Sequence, residues 1–176
     1  MLYVVDRDVR GIAVMNNVVY VVCKKSSIIS TYSADTLSPL SEDIHVEGMT
    51  LPSDMAVCRH DRQLYVLTGS KCIYRVSTEN QYEQWLTVQS TGDVVKISVT
   101  SRHVLVSSDP RNLHQYNTTD GQLVNAVELP EFVGRLYHAV ETTRETFIIG
   151  HCGTEQSEWQ YAVSKRCSFS SYYNIL

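Results

Sequence analysis

The chain has 176 residues, of which 43% are hydrophobic and 19% are charged, and its formal net charge is −4. A chain of this length buries roughly 70% of its unfolded surface on folding, so the composition predicts a globular core without a metal or disulfide and excludes a disordered chain. The negative charge excludes broad electrostatic capture of nucleic acid, which needs an excess of Lys and Arg, but it leaves a local basic patch open.

Neither end of the chain nor its middle predicts membrane insertion or secretion. The start, MLYVVDRDVRG, lacks a cationic leader, and no apolar run approaches the ~20 residues of a membrane span. The five cysteines are odd in number and irregularly spaced, with no C-x-x-C pair, which favours buried free thiols. We therefore expect a cytoplasmic protein without disulfides.

A short apolar phrase recurs along the chain with a period of ~42 residues. The copies are GIAV (11–14), DMAV (54–57), KISV (96–99) and YHAV (137–140). A polar turn and a second apolar run follow each copy, and these runs are VVYVV (18–22), LYVL (64–67), HVLV (103–106) and TFII (146–149). Each phrase therefore predicts the first two strands of a repeated unit.

Two further strand candidates complete each unit. The third strands alternate apolar and polar residues and read IISTY (28–32), CIYRV (72–76), NLHQY (112–116) and WQYAV (159–163). The fourth strands read DIHV (43–46), QWLTV (84–88) and NAVEL (125–129), with the tail YYNIL as a poor last copy. Polarity rises along each unit, as expected if the first strand is packed on both faces and the fourth meets solvent.

Four short strands repeated at this period predict an all-β protein, a β-propeller of four-stranded antiparallel blades. A two-sheet sandwich is the alternative, although it does not require the same strand order to recur. We predict one propeller domain over residues 1–176, with units at about 11–53, 54–94, 95–135 and 136–176. Residues 1–10 would then supply an outer strand of a neighbouring or closing blade.

The first two units resemble NHL repeats. GIAVMNNVVYVV with IISTY, and DMAVCRHDRQLYVL with CIYRV, are similar to that family's G-[IV]-A-V phrase, turn, I-Y-V run, polar loop and I-x-x-[YF] strand. The resemblance covers residues 11 to 150, but CKKS, TGSK and SSDPRN replace the Asp and Asn that usually follow the second strand. The Trp-Asp signature of WD repeats and the Gly-Gly pair of kelch repeats are missing.

The NHL resemblance implies a six-bladed propeller, often found at the C-terminus of tripartite-motif ubiquitin ligases. Four units then predict an incomplete part of a ring. The alternative is a closed four-bladed ring in which LYVVD (2–6) completes the last blade.

The sequence shows no established pattern for catalysis, metal binding or a cofactor. Cys58, His60 and Cys72 form the densest set of metal-ligand types, but the blade assignment places the two cysteines at opposite ends of their strands. An enzyme is the weaker alternative. It stays open because propeller hydrolases and lyases use central Asp, Glu, Asn or His residues from several blades. The candidates near the ends of first strands are Asp54, His138 and Glu141.

Basic residues recur between the second and third strands of the first three units, at Lys24, Lys25, Lys71 and Arg111. Equivalent loops of a propeller lie on one face, so these charges predict a binding surface for an acidic or phosphorylated protein segment. The predicted function is a non-enzymatic adaptor without a small-molecule substrate, with substrate recognition for a ubiquitin ligase as its role. RNA is the second candidate partner. The negative net charge and the lack of an aromatic residue in these loops argue against it.

Overall fold

The computed structural model describes residues 8–131, 133–142, 146–153, 159–165 and 173–175. These residues form 16 strands and no helix, so no helix within the described ranges is long and apolar enough to cross a membrane. The LYVVD segment (2–6), predicted as an outer strand, lies outside the described residues.

The strands form four antiparallel sheets of four strands, each in chain order, which confirms the predicted all-β class and the predicted four-stranded units. Sheet 1 consists of β1 (Val9–Met15), β2 (Val18–Cys23), β3 (Ile28–Ser33) and β4 (Ile44–His45). Sheet 2 consists of β5 (Pro52–Cys58), β6 (Gln63–Thr68), β7 (Cys72–Ser77) and β8 (Tyr82–Thr87). Sheet 3 consists of β9 (Val94–Val99), β10 (His103–Ser108), β11 (Asn112–Asn117) and β12 (Leu123–Glu128). Sheet 4 consists of β13 (Val133–Glu141), β14 (Thr146–Gly153), β15 (Trp159–Lys165) and β16 (Tyr173–Ile175).

The repeated phrase occupies matching places in the sheets. Val14, Val57 and Val99 pair with the second residue of the following strand, at Val19, Leu64 and Val104 respectively, and Val140 pairs with the third residue, Ile148. Every predicted strand phrase overlaps a strand. The poor last copy also does so, because β16 pairs with β15.

The chain divides into two compact units, Met1–Val88 and Gln89–Leu176, with two sheets in each. In the first unit, sheets 1 and 2 share a core that includes Tyr20, Ile29, Leu64 and Val66. In the second unit, sheets 3 and 4 share a core that includes Leu105, Leu113, Leu136, Phe147 and Ile149. Each core therefore fills the space between two neighbouring sheets.

The prediction that the first strand is packed on both faces is wrong for sheet 1. In β1, Ala13 and Met15 are buried against β5, whereas the side chains of Ile12 and Val14 on the other face are 61% and 42% exposed. The second strand is buried more completely, since four of the six residues of β2 are buried. A second strand has a hydrogen-bonded neighbour on both sides, and those neighbours shield its side chains.

The turn after β1 shows why the first phrase folds locally into a hairpin. Asn16 and Asn17 are its two turn residues and have φ angles of 50° and 62°. Two-residue hairpin turns that match the strand twist need positive φ at both positions, and Asn accepts this conformation more readily than most residues. The Asn17 side chain also donates to Asp35 Oδ2 at 2.6 Å.

Candidate interaction surfaces

The predicted basic residues lie in the turns between the second and third strands, which we call the middle turns (residues 24–27, 69–71 and 109–111). Each middle turn begins with a residue whose backbone N–H donates to the carbonyl oxygen of the residue preceding the first strand. The three pairs are Lys24 to Asp8, Gly69 to Leu51 and Asp109 to Asp93, at 2.8 to 2.9 Å. Lys24 is therefore equivalent to a glycine and an aspartate in the next two sheets.

The last residue of each middle turn has its own repeated hydrogen bond. The carbonyl oxygens of Ser27, Lys71 and Arg111 each accept from the backbone N–H of the residue after the fourth strand, at 2.9 Å. Lys71 and Arg111 are therefore equivalent to Ser27, and not to Lys24 or Lys25. The basic residues recur in the same turn but at two different positions within it.

Carboxylates partly compensate these cations. Lys24 Nζ lies 3.8 Å from Asp8 Oδ2, which also accepts a 2.7 Å bond from Arg10. Arg111 Nη2 donates to Glu128 Oε1 at 3.0 Å, while Arg111 Nε is buried without a hydrogen-bond partner. Because exposed ion pairs contribute only about 0 to 1 kcal/mol, the carboxylates of a partner can compete with Asp8 and Glu128.

Two of the lysines have backbone φ angles in the left-handed region, which residues other than glycine rarely adopt. Lys25 and Lys71 have φ angles of 60° and 64°, and Lys25 is exposed whereas Lys71 is half-buried. The first unit holds Lys24, Lys25 and Lys71 at the corresponding ends of sheets 1 and 2, and Arg111 lies in the corresponding turn of sheet 3 in the second unit. A single cluster of all four remains a prediction.

The enzyme candidates lie at different levels of their sheets. Asp54 is 8% exposed near the start of β5, where it pairs with Leu67, and Glu141 is the last residue of β13. The first strands begin at the end of each sheet that carries the middle turn, so the two carboxylates occupy opposite ends of their own sheets. His138 is exposed in β13.

Glu141 belongs to a polar network that sequence patterns did not indicate. His103 Nδ1 lies 2.9 Å from Glu141 Oε2, and Gln115 Nε2 donates to Glu141 Oε1 at 3.1 Å. The Gln115 side chain is also buried, and its Oε1 has no partner. This network links β10 and β11 of sheet 3 to β13 of sheet 4, so we interpret Glu141 as a packing residue. The only sign of this network in the sequence is that His103 and Gln115 are polar residues within predicted strand phrases.

The densest set of metal-ligand types is divided by strand register. Cys58 pairs with Gln63 at one end of sheet 2, and Cys72 pairs with Thr87 at the other end. Within the described ranges, no three His, Cys, Asp or Glu residues are grouped to hold a metal ion. Burial raises the pKa of the Cys58 thiol, which lies 3.4 Å from Asp61 Oδ2, so burial disfavours the thiolate form that binds metals and acts as a nucleophile.

Comparison with solved structures identifies the fold. The chain is similar to the structure of U3-55K, with a TM-score of 0.75 and 14% identity over 98% of this chain and 53% of that chain. It is similar to the WD40 repeats of RRP9 (TM-score 0.71, 14% identity, 92% of this chain and 49% of that chain) and to the WD40 β-propeller domain of Doa1 (0.66, 15%, 89% and 51%). This chain has the β-propeller fold.

The chain spans about half the length of these solved structures. No family model matches the sequence, and no curated protein sequence matches it.

Proposed function

We propose that this propeller is a non-catalytic protein-interaction module that binds an acidic or phosphorylated segment through its middle turns. The observation that carries the proposal is the recurrence of Lys or Arg in three middle turns. Backbone hydrogen bonds to the residue before the first strand and to the residue after the fourth strand brace the two ends of each turn. Loops that a rigid scaffold holds in place are the usual carriers of binding function.

The proposed biological role is substrate recognition for a cytoplasmic ubiquitin ligase. It rests on the resemblance of residues 11–150 to NHL repeats, which the β-propeller fold supports at the level of architecture. A captured substrate would place carboxylates or phosphates against Lys24, Lys25, Lys71 and Arg111, in place of the intramolecular contacts with Asp8 and Glu128.

The test removes the four cations without reversing them, because Asp8 and Glu128 would repel new carboxylates. We expect Lys24→Gln, Lys25→Gln, Lys71→Gln and Arg111→Gln together to lower recovery of partner proteins from cell extract by at least tenfold. Four lost ion pairs of about 0 to 1 kcal/mol each can together supply the roughly 1.4 kcal/mol that a tenfold loss of affinity requires. Quantitative mass spectrometry of the captured proteins measures this. At the exposed Lys24 and Lys25 the free energy of unfolding should change by only about 0.5 kcal/mol, and the partly buried Lys71 and Arg111 should account for any larger change.

A matched control removes three exposed arginines from the opposite ends of the sheets, in the turns after β5 and β9, and these are Arg59, Arg62 and Arg102. Their change to Gln should leave partner recovery intact. Equal recovery by the parent and the four-residue variant would refute the binding surface. Recovery abolished by ribonuclease, with a steep salt dependence, would favour RNA as the ligand instead.

A further inference from the structure

A groove lies in the first unit between sheets 1 and 2, at the end opposite to the middle turns. Its volume is about 420 Å³. The floor is formed by three strands of sheet 1, and the walls by the segment before β4 and the turn after β7. Its lining includes Val18, Tyr20, Leu40, Glu42, Ile44 and Asn80.

The wall before β4 is held in place by hydrogen bonds to β3. The Leu40 N–H donates to the Thr31 carbonyl oxygen at 2.9 Å, and the Thr31 N–H donates to Asp43 Oδ1 at 3.0 Å. Thr31 Oγ1 also donates to the Glu42 carbonyl oxygen at 3.0 Å. The wall is therefore organised before any ligand arrives, which reduces the entropy lost on binding.

The groove is apolar at its floor and acidic at its wall. Val18 and Ile44 belong to the floor, and Leu40 is 40% exposed beside them. No Lys, Arg or His lines the groove, and the exposed Glu42 carboxylate has no hydrogen-bond or ion-pair partner among the described residues. From residue 26 to residue 46 every residue of Asp, Glu, Lys or Arg type is an acid, namely Asp35, Glu42 and Asp43.

We propose that this groove receives an arginine or lysine side chain from a basic segment of a partner protein. Such a side chain has an apolar stem that fits beside Val18 and Leu40, and a cationic tip that suits the carboxylate of Glu42. Tyr20 and Asn80 supply further polar groups at the groove. The inference rests on the proposed function as a protein-interaction module, and it adds a second surface with the opposite charge preference.

The test titrates the ¹⁵N-labelled chain with the peptide acetyl-Gly-Gly-Arg-Gly-Gly-amide and with its citrulline analogue, which has nearly the same shape without the charge. We expect saturable amide shifts at Val18, Thr31, Leu40, Glu42 and Asn80 with the arginine peptide, and binding at least threefold weaker with citrulline. Glu42→Gln should weaken arginine binding by about fivefold, the upper range for an exposed ion pair. Glu47→Gln, which removes an exposed carboxylate outside the groove, should not weaken it.

Equal binding of the two peptides, equal effects of the two Gln variants, or shifts outside the groove would each overturn the inference. The outcome is separable from that of the middle turns. If arginine binding is absent while the four-residue middle-turn variant still loses its partners, only the groove inference is wrong. If arginine binds at the groove while that variant keeps its partners, the groove stands and the middle-turn proposal is wrong.

Discussion

His114 is a partly buried histidine without a hydrogen-bond partner. It lies in β11, with its ring stacked on Tyr116 at 6.3 Å between centroids, and neither ring nitrogen reaches solvent or a polar group. Burial lowers its pKa from the ordinary value of 6.5, because the protonated ring loses hydration. The folded state therefore resists protonation of this side chain.

We predict that His114 makes the protein less stable in mild acid. As the pH falls below about 6.5, the unfolded chain binds a proton at this residue that the folded chain does not, so the free energy of unfolding decreases. Urea unfolding at pH 7.5 and 5.5 measures this loss, and His114→Leu should reduce it. His60→Gln is the control, since the His60 side chain is 74% exposed. Identical pH dependence in the parent and His114→Leu would contradict the prediction.

At the scale of the strands, Gly11 permits the close approach of β1 to β5. A Cβ atom at this position would lie 2.7 Å from the backbone nitrogen of Met55 and 2.9 Å from its Cβ. Both distances are shorter than ordinary contacts, and a backbone atom cannot rotate away. The glycine in the first repeated phrase therefore has a packing role between sheets 1 and 2.

We expect Gly11→Ala to destabilise the protein by about 1 to 3 kcal/mol, because the added methyl group forces the two strands apart. Gly150→Ala in β14 is the matched control, as its nearest neighbour, the His138 carbonyl oxygen, is 4.0 Å from the added Cβ. Chemical denaturation of the two variants measures the difference. A Gly11 variant as stable as the Gly150 variant would show that the strands can separate without loss.

At the scale of the whole molecule, apolar side chains are exposed on the first and last sheets of the chain. Ile12 and Val14 are 61% and 42% exposed on sheet 1, and the paired residues Val140 and Ile148 are each 44% exposed on sheet 4. The solved structures of U3-55K, RRP9 and Doa1 are about twice as long as this chain. The incomplete-ring hypothesis predicts that these faces pack against further propeller sheets.

The corresponding prediction is that residues 1–176 alone associate through these faces. Ile12→Thr with Val14→Thr should shift the chain toward the monomer in concentration-dependent light scattering, since it removes apolar surface while keeping β-branched residues. Leu123→Thr with Val124→Thr is the control, because these side chains are 51% and 41% exposed on the outer strand β12. A parent chain that is monomeric at every concentration would favour the closed four-bladed ring.

The repeat and the strand order were predictable because local patterns determine them. The phrases that end at Val14, Val57 and Val99 alternate with polar turns, and the Asn16-Asn17 turn has the residues that a tight hairpin needs. Strand formation and turn type depend on neighbours within a few residues, so the sequence alone predicted the four-stranded units and the all-β class.

The buried face of each strand, the ion-pair partners and the groove could not be predicted, because they depend on contacts between residues that are distant in the chain. Only the packing of sheet 1 on sheet 2 decided that Ala13 is buried and Ile12 exposed. In the same way, Glu128 compensates Arg111 across 17 residues. The groove joins segments from Asn16 to Asn80. By itself the sequence determined the strands, the turns and the fold class, because those features follow from local chemistry. The tertiary structure decided burial, ion pairing and the groove, because those features depend on which strands contact each other.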